Sequence, residues 1–295
     1  MEKGLENLYS NRQEEISSKN NIFNQAVRYL EKNAIDPDRF VGIYGRDMVM
    51  ADKAEAKKLK AQMLKNGKAP EGLKLATVLE SLVTEHISKS SWFGENTDAK
   101  PAAPFDDCKN GIDTLTIFRK EGGFEKYMGL VMDATFNPSY QLCGKFNKIR
   151  GEIVRGDLGK MKYFESGKIR GQMTHIPKVI VGVEEKTIEE LGKLKSMGKE
   201  DDIANHPIQL QILEEIEMQL RVFAEYTEKQ PNDTYYKKSE HDIRGELVQI
   251  YKDFHEIIKE VLKERRVKIK DTGKRDEMFQ RIKEETEKIL TRDRN

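Results

Sequence analysis

A chain of 295 residues can bury one sizeable core, and 37% hydrophobic against 35% charged residues describes a helix-rich protein of the cytoplasm. No apolar run approaches the ~20 residues that cross a bilayer, and the charged start MEKGLENLYS lacks the apolar stretch of a secretory signal, so no membrane partner is expected. The net charge of +1 hides two opposite excesses: nine Lys/Arg against three Asp/Glu over 140–178, then five against twelve over 184–228. The basic stretch suits a surface that meets a polyanion; an unevenly charged solvated surface is the plainer account. Cys108 and Cys143 have no metal-ligand spacing and are too few for a disulfide framework.

In chain order, Ile22, Phe23, Ala26, Val27 and Leu30 recur at helical steps and predict an amphipathic helix over 20–32, ended by Asp36-Pro37-Asp38. A charged helix near 50–65 follows and leads to the turn Asn66-Gly67, so residues 1–70 form a helical lead-in. The helix of 72–88 puts Leu75, Leu79, Leu82, Val83 and His86 on one stripe with Glu80 and Glu85 beside it. Pro101 and Pro104 make 92–105 a loop. Gly111–Phe118 and Gly129–Phe136 read as two strands joined by a hairpin around Gly122-Gly123. A turn centred there places the partner of Asp113 between 131 and 133, close to Asp133.

After Asn137-Pro138 a helix over 140–155 buries Leu142, Phe146, Ile149 and Ile153, with Lys145 bordering that stripe and Lys148 nearer solvent. Residues 162–165 and 178–183 read as further strands. Beyond 184, a helix opened by Pro207 and capped by Asn205 or His206, and another started by Ser239 with Asp242, predict an antiparallel helical hairpin over 184–265. RRVKIKDTGKR is a basic linker before a terminal helix within 266–295.

Two carboxylates on adjacent strands suit a hard cation such as Mg²⁺ or Mn²⁺, which activates water and stabilises charge on phosphate. An aspartate at a strand end that only shapes a turn is the competing account. Asp106 and Asp107 carry the same two readings; His86 is either a base or a satisfied core histidine. Phosphate loops, dinucleotide fingerprints, HExxH, CxxC and GxSxG motifs are absent, which leaves those chemistries without support.

The strings FDDCKNGIDTLTIF, GLVMDATF and KFNKIRGEIVRGDLGKMKYF resemble a bacterial family similar to the PD-(D/E)XK nuclease superfamily, over roughly 71–183. The resemblance implies a restriction-endonuclease-like α/β (α+β) core at 71–183, a small mixed sheet flanked by helices, with the C-terminal helical hairpin appended. It implies metal-dependent phosphodiester hydrolysis of nucleic acid, DNA before RNA. By position Asp113 and Asp133 correspond to the strand acids and Glu80 to the helix glutamate, all three holding Mg²⁺ or Mn²⁺. Asp133-Ala134-Thr135 offers threonine where the superfamily has lysine, and Lys145 on the next helix is placed to replace it. Lys148, Arg150 and Arg155 would meet the nucleic-acid backbone. The alternative is an inactive module of the same fold that binds nucleic acid, a protein partner or a second copy through the C-terminal helices.

Overall fold

The computed structural model describes residues 2–64, 69–119, 125–133, 140–167, 169–230 and 243–291, with side chains from residue 16 onward except 131–133, 140 and 141. Three helices come first: α1 (Glu2–Asn33), α2 (Val41–Tyr44) and α3 (Arg46–Gln62). α4 (Glu71–Lys89) leads into β1 (Thr97–Pro101), β2 (Thr114–Arg119) and β3 (Glu125–Asp133). α5 (Tyr140–Arg155), β4 (Gly159–Ser166), β5 (Ile169–Ile176) and β6 (Lys178–Gly182) follow. The rest is helical: α6 (Glu185–Ser196), α7 (Glu200–Ala204), α8 (Ile208–Lys229), α9 (Arg244–Lys268) and α10 (Glu277–Ile289).

The main sheet has the order β1-β2-β3-β6, antiparallel across the first three strands and parallel between β3 and β6. Helix α5 and the β4-β5 ribbon lie in the chain between those two parallel strands, as a parallel pair requires a long crossover. The fold is therefore mixed α/β, with a small mixed sheet flanked by helices. Thr114 pairs with Leu130, so the register extended by one residue puts Asp113 opposite Val131, two residues short of Asp133. That spacing agrees with the hairpin arithmetic; the turn itself, and residues 134–136 of the second expected strand, lie outside the described residues.

Helix α8 shows why β6 can stand at the edge of the sheet. Its Gln219 accepts from Ile180 N at 2.8 Å and donates to Ile180 O at 2.7 Å, while Glu215 accepts from Gly182 N at 3.0 Å. Four helical residues rise about 6 Å and two strand residues about 6.6 Å, so an i, i+4 row can follow alternate groups of a strand. Gln211 extends the row, bonding to Gly182 O at 3.4 Å and to Asp276. Side chains thus do for this edge what a further strand would do.

One hydrophobic core runs from Ala26 of α1 through α4, β3, α5, β6 and α8 to Ile289 of α10. A smaller core on Phe40, Val49, Leu115, Ile117, Met161 and Tyr163 joins the lead-in to β2 and β4. α8 and α9 lie antiparallel, as the contacts Arg265 to Gln209 and Lys252 to Glu228 show.

Four local expectations need correction, and one strand was not anticipated. The segment 92–105 contains β1, an edge strand whose burial alternates at Thr97, Ala99 and Pro101, where the missing proline N–H costs nothing at the strand's end. β5 is a strand although IRGQMTHI is polar; it is held by pairing to β4 rather than by burial. α9 continues through Lys268, so the linker is shorter than RRVKIKDTGKR. Helix α1 starts at Glu2, far ahead of residue 20. Pro207 rather than Asn205 or His206 stands at the N-cap of α8, and His206, one residue before it, accepts from Ile208 N through Nδ1 at 3.2 Å. The Ser239 and Asp242 cap lies outside the described residues.

Candidate functional site

Three acidic side chains meet where α4 crosses the start of β2. Thr84 of α4 and Thr114 of β2 are fully buried, and their hydroxyls are 2.6 Å apart. Glu80 stands one helical turn before Thr84 and Asp113 one residue before Thr114, and the two carboxyls are near enough for the Asp113 charge to act on Glu80. The backbone of Asp113 is held on both sides: its N–H donates to Leu130 O at 3.0 Å and its carbonyl accepts from Ala102 N at 2.8 Å.

Asp107 comes from a single π-helical turn, Asp106–Asn110, and its carboxyl is hydrogen-bonded to that of Asp113. Gly111 closes that turn with φ +65°, a left-handed conformation that glycine adopts freely, and its N–H donates to Asp107 O at 3.0 Å. Asp106 faces away from the cluster. It is fully buried and accepts from Lys162 N at 2.8 Å, Tyr163 N at 2.9 Å and Asn110 Nδ2 at 2.6 Å, which anchors the turn to β4. Of the two adjacent aspartates, one shapes the turn and the other joins the site.

The electrostatics follow from this crowding. Burial first, then the charges of Asp113 and Asp107, push the Glu80 carboxyl well above its usual range. Burial, the Asp113 charge and the hydrogen bond to Asp113 raise Asp107 to about 7, against an opposing pull from Lys60. Glu80, Asp107 and Asp113 are each half-buried as residues. Cys108 sits beside it, and burial followed by the neighbouring Asp107 charge pushes its thiol up to about 11, which leaves it a poor nucleophile near neutrality.

Lysines flank the acids. Lys148 is exposed on α5 and donates to Asn110 O at 3.3 Å. Lys178 at the start of β6 is buried and donates to the same carbonyl at 3.2 Å and to Glu152 Oε1 at 2.7 Å. Burial shifts Lys178 down and Glu152 up despite their pairing, so desolvation outweighs the attraction between them. Lys145 is partly exposed on the same helix.

Other expected residues lie elsewhere or are otherwise engaged. Arg150, expected at a nucleic-acid backbone, donates to Tyr226 hydroxyl at 3.0 Å and so serves the α5–α8 contact. Arg155 is exposed and paired with Asp157 at 3.0 Å just past the end of α5. His86 is buried, with Nδ1 2.8 Å from Ser90 Oγ and its ring 5.4 Å from that of Trp92. Burial lowers it to about 4, so it stays neutral, which favours the core reading. Asp133 ends β3 across from Gly182, and its side chain is outside those described. Asp107 was available to sequence reasoning as half of Asp106-Asp107; Lys178 gave no local signal, being one cation at the head of an apolar strand.

Among the described residues no three His, Cys, Asp or Glu side chains are disposed as a ligand set for a metal ion. The donor chemistry nevertheless fits a hard cation: Glu80, Asp107 and Asp113 are oxygen donors, the Asp113 charge raises the proton affinity of both Glu80 and Asp107, and a divalent ion would relieve that repulsion. Searches among protein-family models, curated proteins and solved structures return no match.

Proposed function

We propose that the chain is a metal-dependent nuclease of PD-(D/E)XK type with a variant lysine position, acting on DNA in preference to RNA. The observation that carries this reading is the junction of Glu80 and Asp113 through the Thr84–Thr114 contact, with Asp113 and Asp133 on neighbouring strands in near register. The element order supports it: a helix with a glutamate, three antiparallel strands, a helix, and a strand parallel to the third.

In this reading Glu80, Asp113 and Asp133 hold Mg²⁺ or Mn²⁺. The bound ion would supply Lewis-acid polarisation of water and phosphate. Asp107, hydrogen-bonded to Asp113, takes the proton released when water attacks phosphorus. Lys145 stabilises the charge that develops on the phosphate, and Lys148 contacts the backbone beside the Asp106–Asn110 turn. Arg150, which donates to the Tyr226 hydroxyl, is assigned to the α5–α8 contact rather than to this task.

The test is incubation of the purified chain with plasmid, single-stranded DNA and RNA in Mn²⁺ or Mg²⁺. Cleavage is expected with DNA, falling by roughly 100-fold or more in Asp113→Asn and Asp133→Ala, since each removes a ligand carboxylate. Cleavage unchanged in both variants would sink the reading; DNA binding without cleavage by the wild type would establish the inactive module instead.

A further inference from the structure

As a charged helix of the lead-in, α3 has no expected role at the site, yet it is fastened to the elements that build it. Its Asp52 accepts from Lys162 Nζ and from the Tyr163 hydroxyl on β4, and its Glu55 pairs with Lys109 of the acidic turn at 2.6 Å. Val49 and Ala56 are buried beneath the same helix. Val49, Asp52, Ala56 and Lys60 recur at steps of three and four, so they share the face that α3 turns toward the protein. From Asp52 to Lys60 that face advances about 12 Å, carrying the helix from its β4 contact past the acidic turn.

Lys60 ends this stripe as an exposed side chain with no ion pair among the described residues. Its charge acts on Glu80, Asp107 and Cys108, groups from two separate parts of the chain that meet only at the cluster. With Glu55 of the same helix paired to Lys109 of the acidic turn, Lys60 lies on the part of α3 that runs beside the cluster. Lys58 is a natural comparison: it has the same charge and helix and is also exposed, but points about 160° away around the axis.

We propose that Lys60 is a phosphate-contacting residue of the Glu80–Asp107–Asp113 site, supplied by the N-terminal helices to the backbone of a bound nucleic acid. The identity of the ligand rests on the nuclease reading; the placement of Lys60 rests on α3. A lysine that neutralises one phosphate contributes about 0.7 to the slope of log affinity against log salt for a single strand and about 0.9 for a duplex.

The experiment uses the full chain in EDTA, with binding to a fluorescent single-stranded and a duplex oligonucleotide measured between about 50 and 200 mM salt, the range over which phosphate contacts register. Lys60→Ala should weaken binding roughly 3- to 10-fold and lower the slope by about 0.7–0.9, Lys60→Arg should restore most of both, and Lys58→Ala should stay within about twofold of wild type. Equal effects of Lys58→Ala and Lys60→Ala, or an unchanged slope in Lys60→Ala, would overturn the assignment, as would absence of binding by the wild type. A parallel Mn²⁺ cleavage assay separates the two readings. Binding that follows this pattern without cleavage removes hydrolysis and keeps Lys60. Cleavage and binding by Lys60→Ala at wild-type levels remove Lys60 and keep hydrolysis.

Discussion

Asp106 and Asp107 are neighbours of identical chemistry with opposite duties, and the difference is measurable. Asp106 satisfies two backbone N–H groups of β4 and one side-chain amide from a fully buried position. Asp106→Ala orphans those donors and should cost about 2–4 kcal/mol in denaturant unfolding. Asp107→Asn should behave differently. With its carboxyl raised to about 7, the fold favours the protonated form, so the stability that Asp107 contributes is fully present below its unfolded value near 4 and is lost as pH rises through 7. The variant should flatten the fall in melting temperature over that window and melt roughly 3 °C higher at pH 8. A steeper pH dependence in Asp107→Asn would contradict the pairing with Asp113.

At the scale of elements, the α8–β6 seam is where side chains replace a strand. Gln219 satisfies both an N–H and a carbonyl of Ile180, so Gln219→Leu should destabilise by about 2–3 kcal/mol even though leucine suits a buried site. Glu215 is fully buried, and its carboxyl is raised well above the usual range, mainly by burial. Its neutral form is the one that fits, so its contribution holds below the ordinary glutamate value and fades as pH climbs toward the raised one. Glu215→Gln keeps an acceptor for Gly182 N and removes the titration; melting curves of this variant should lose that part of the alkaline decline. Equal pH profiles for wild type and Glu215→Gln would mean that Glu215 is not the group that titrates.

For the molecule as a whole, the continuous core decides how the parts depend on one another. Leu210, Ile212, Leu213, Leu220 and Phe223 of α8 belong to the same buried cluster as Leu79, Leu130, Phe146 and Val181. A chain ended at Pro207 would leave the faces of β6 and α5 that meet α8 uncovered and strip the edge of β6 of its polar partners. Such a chain should lack a cooperative melting transition and bind a hydrophobic dye; a sharp transition near that of the full chain would show that the α/β part folds alone. Among the described residues no helix is long and apolar enough to cross a membrane.

Local pattern was enough for much of this. Helical periodicity located α4, α5, α8 and α9, the two β-rich runs located β2 and β3, and the constant sum of a hairpin brought Asp113 within two residues of facing Asp133. The helices rest on residues a few positions apart and the hairpin on one short turn, so in both spacing fixes geometry. β1 escaped because Pro101 and Pro104 read as loop signals although its burial alternates, and β5 because it is polar and held by its partner β4 rather than by burial. The site was decided at longer range still. Thr84 reaches Thr114, Asp106 reaches Lys162 and Tyr163, Lys178 reaches Asn110, and Arg150 reaches Tyr226, across 30 to 76 positions. Such contacts exist only once the core has closed, because the side chains concerned are polar and have no preference for one another until burial removes water as the alternative partner.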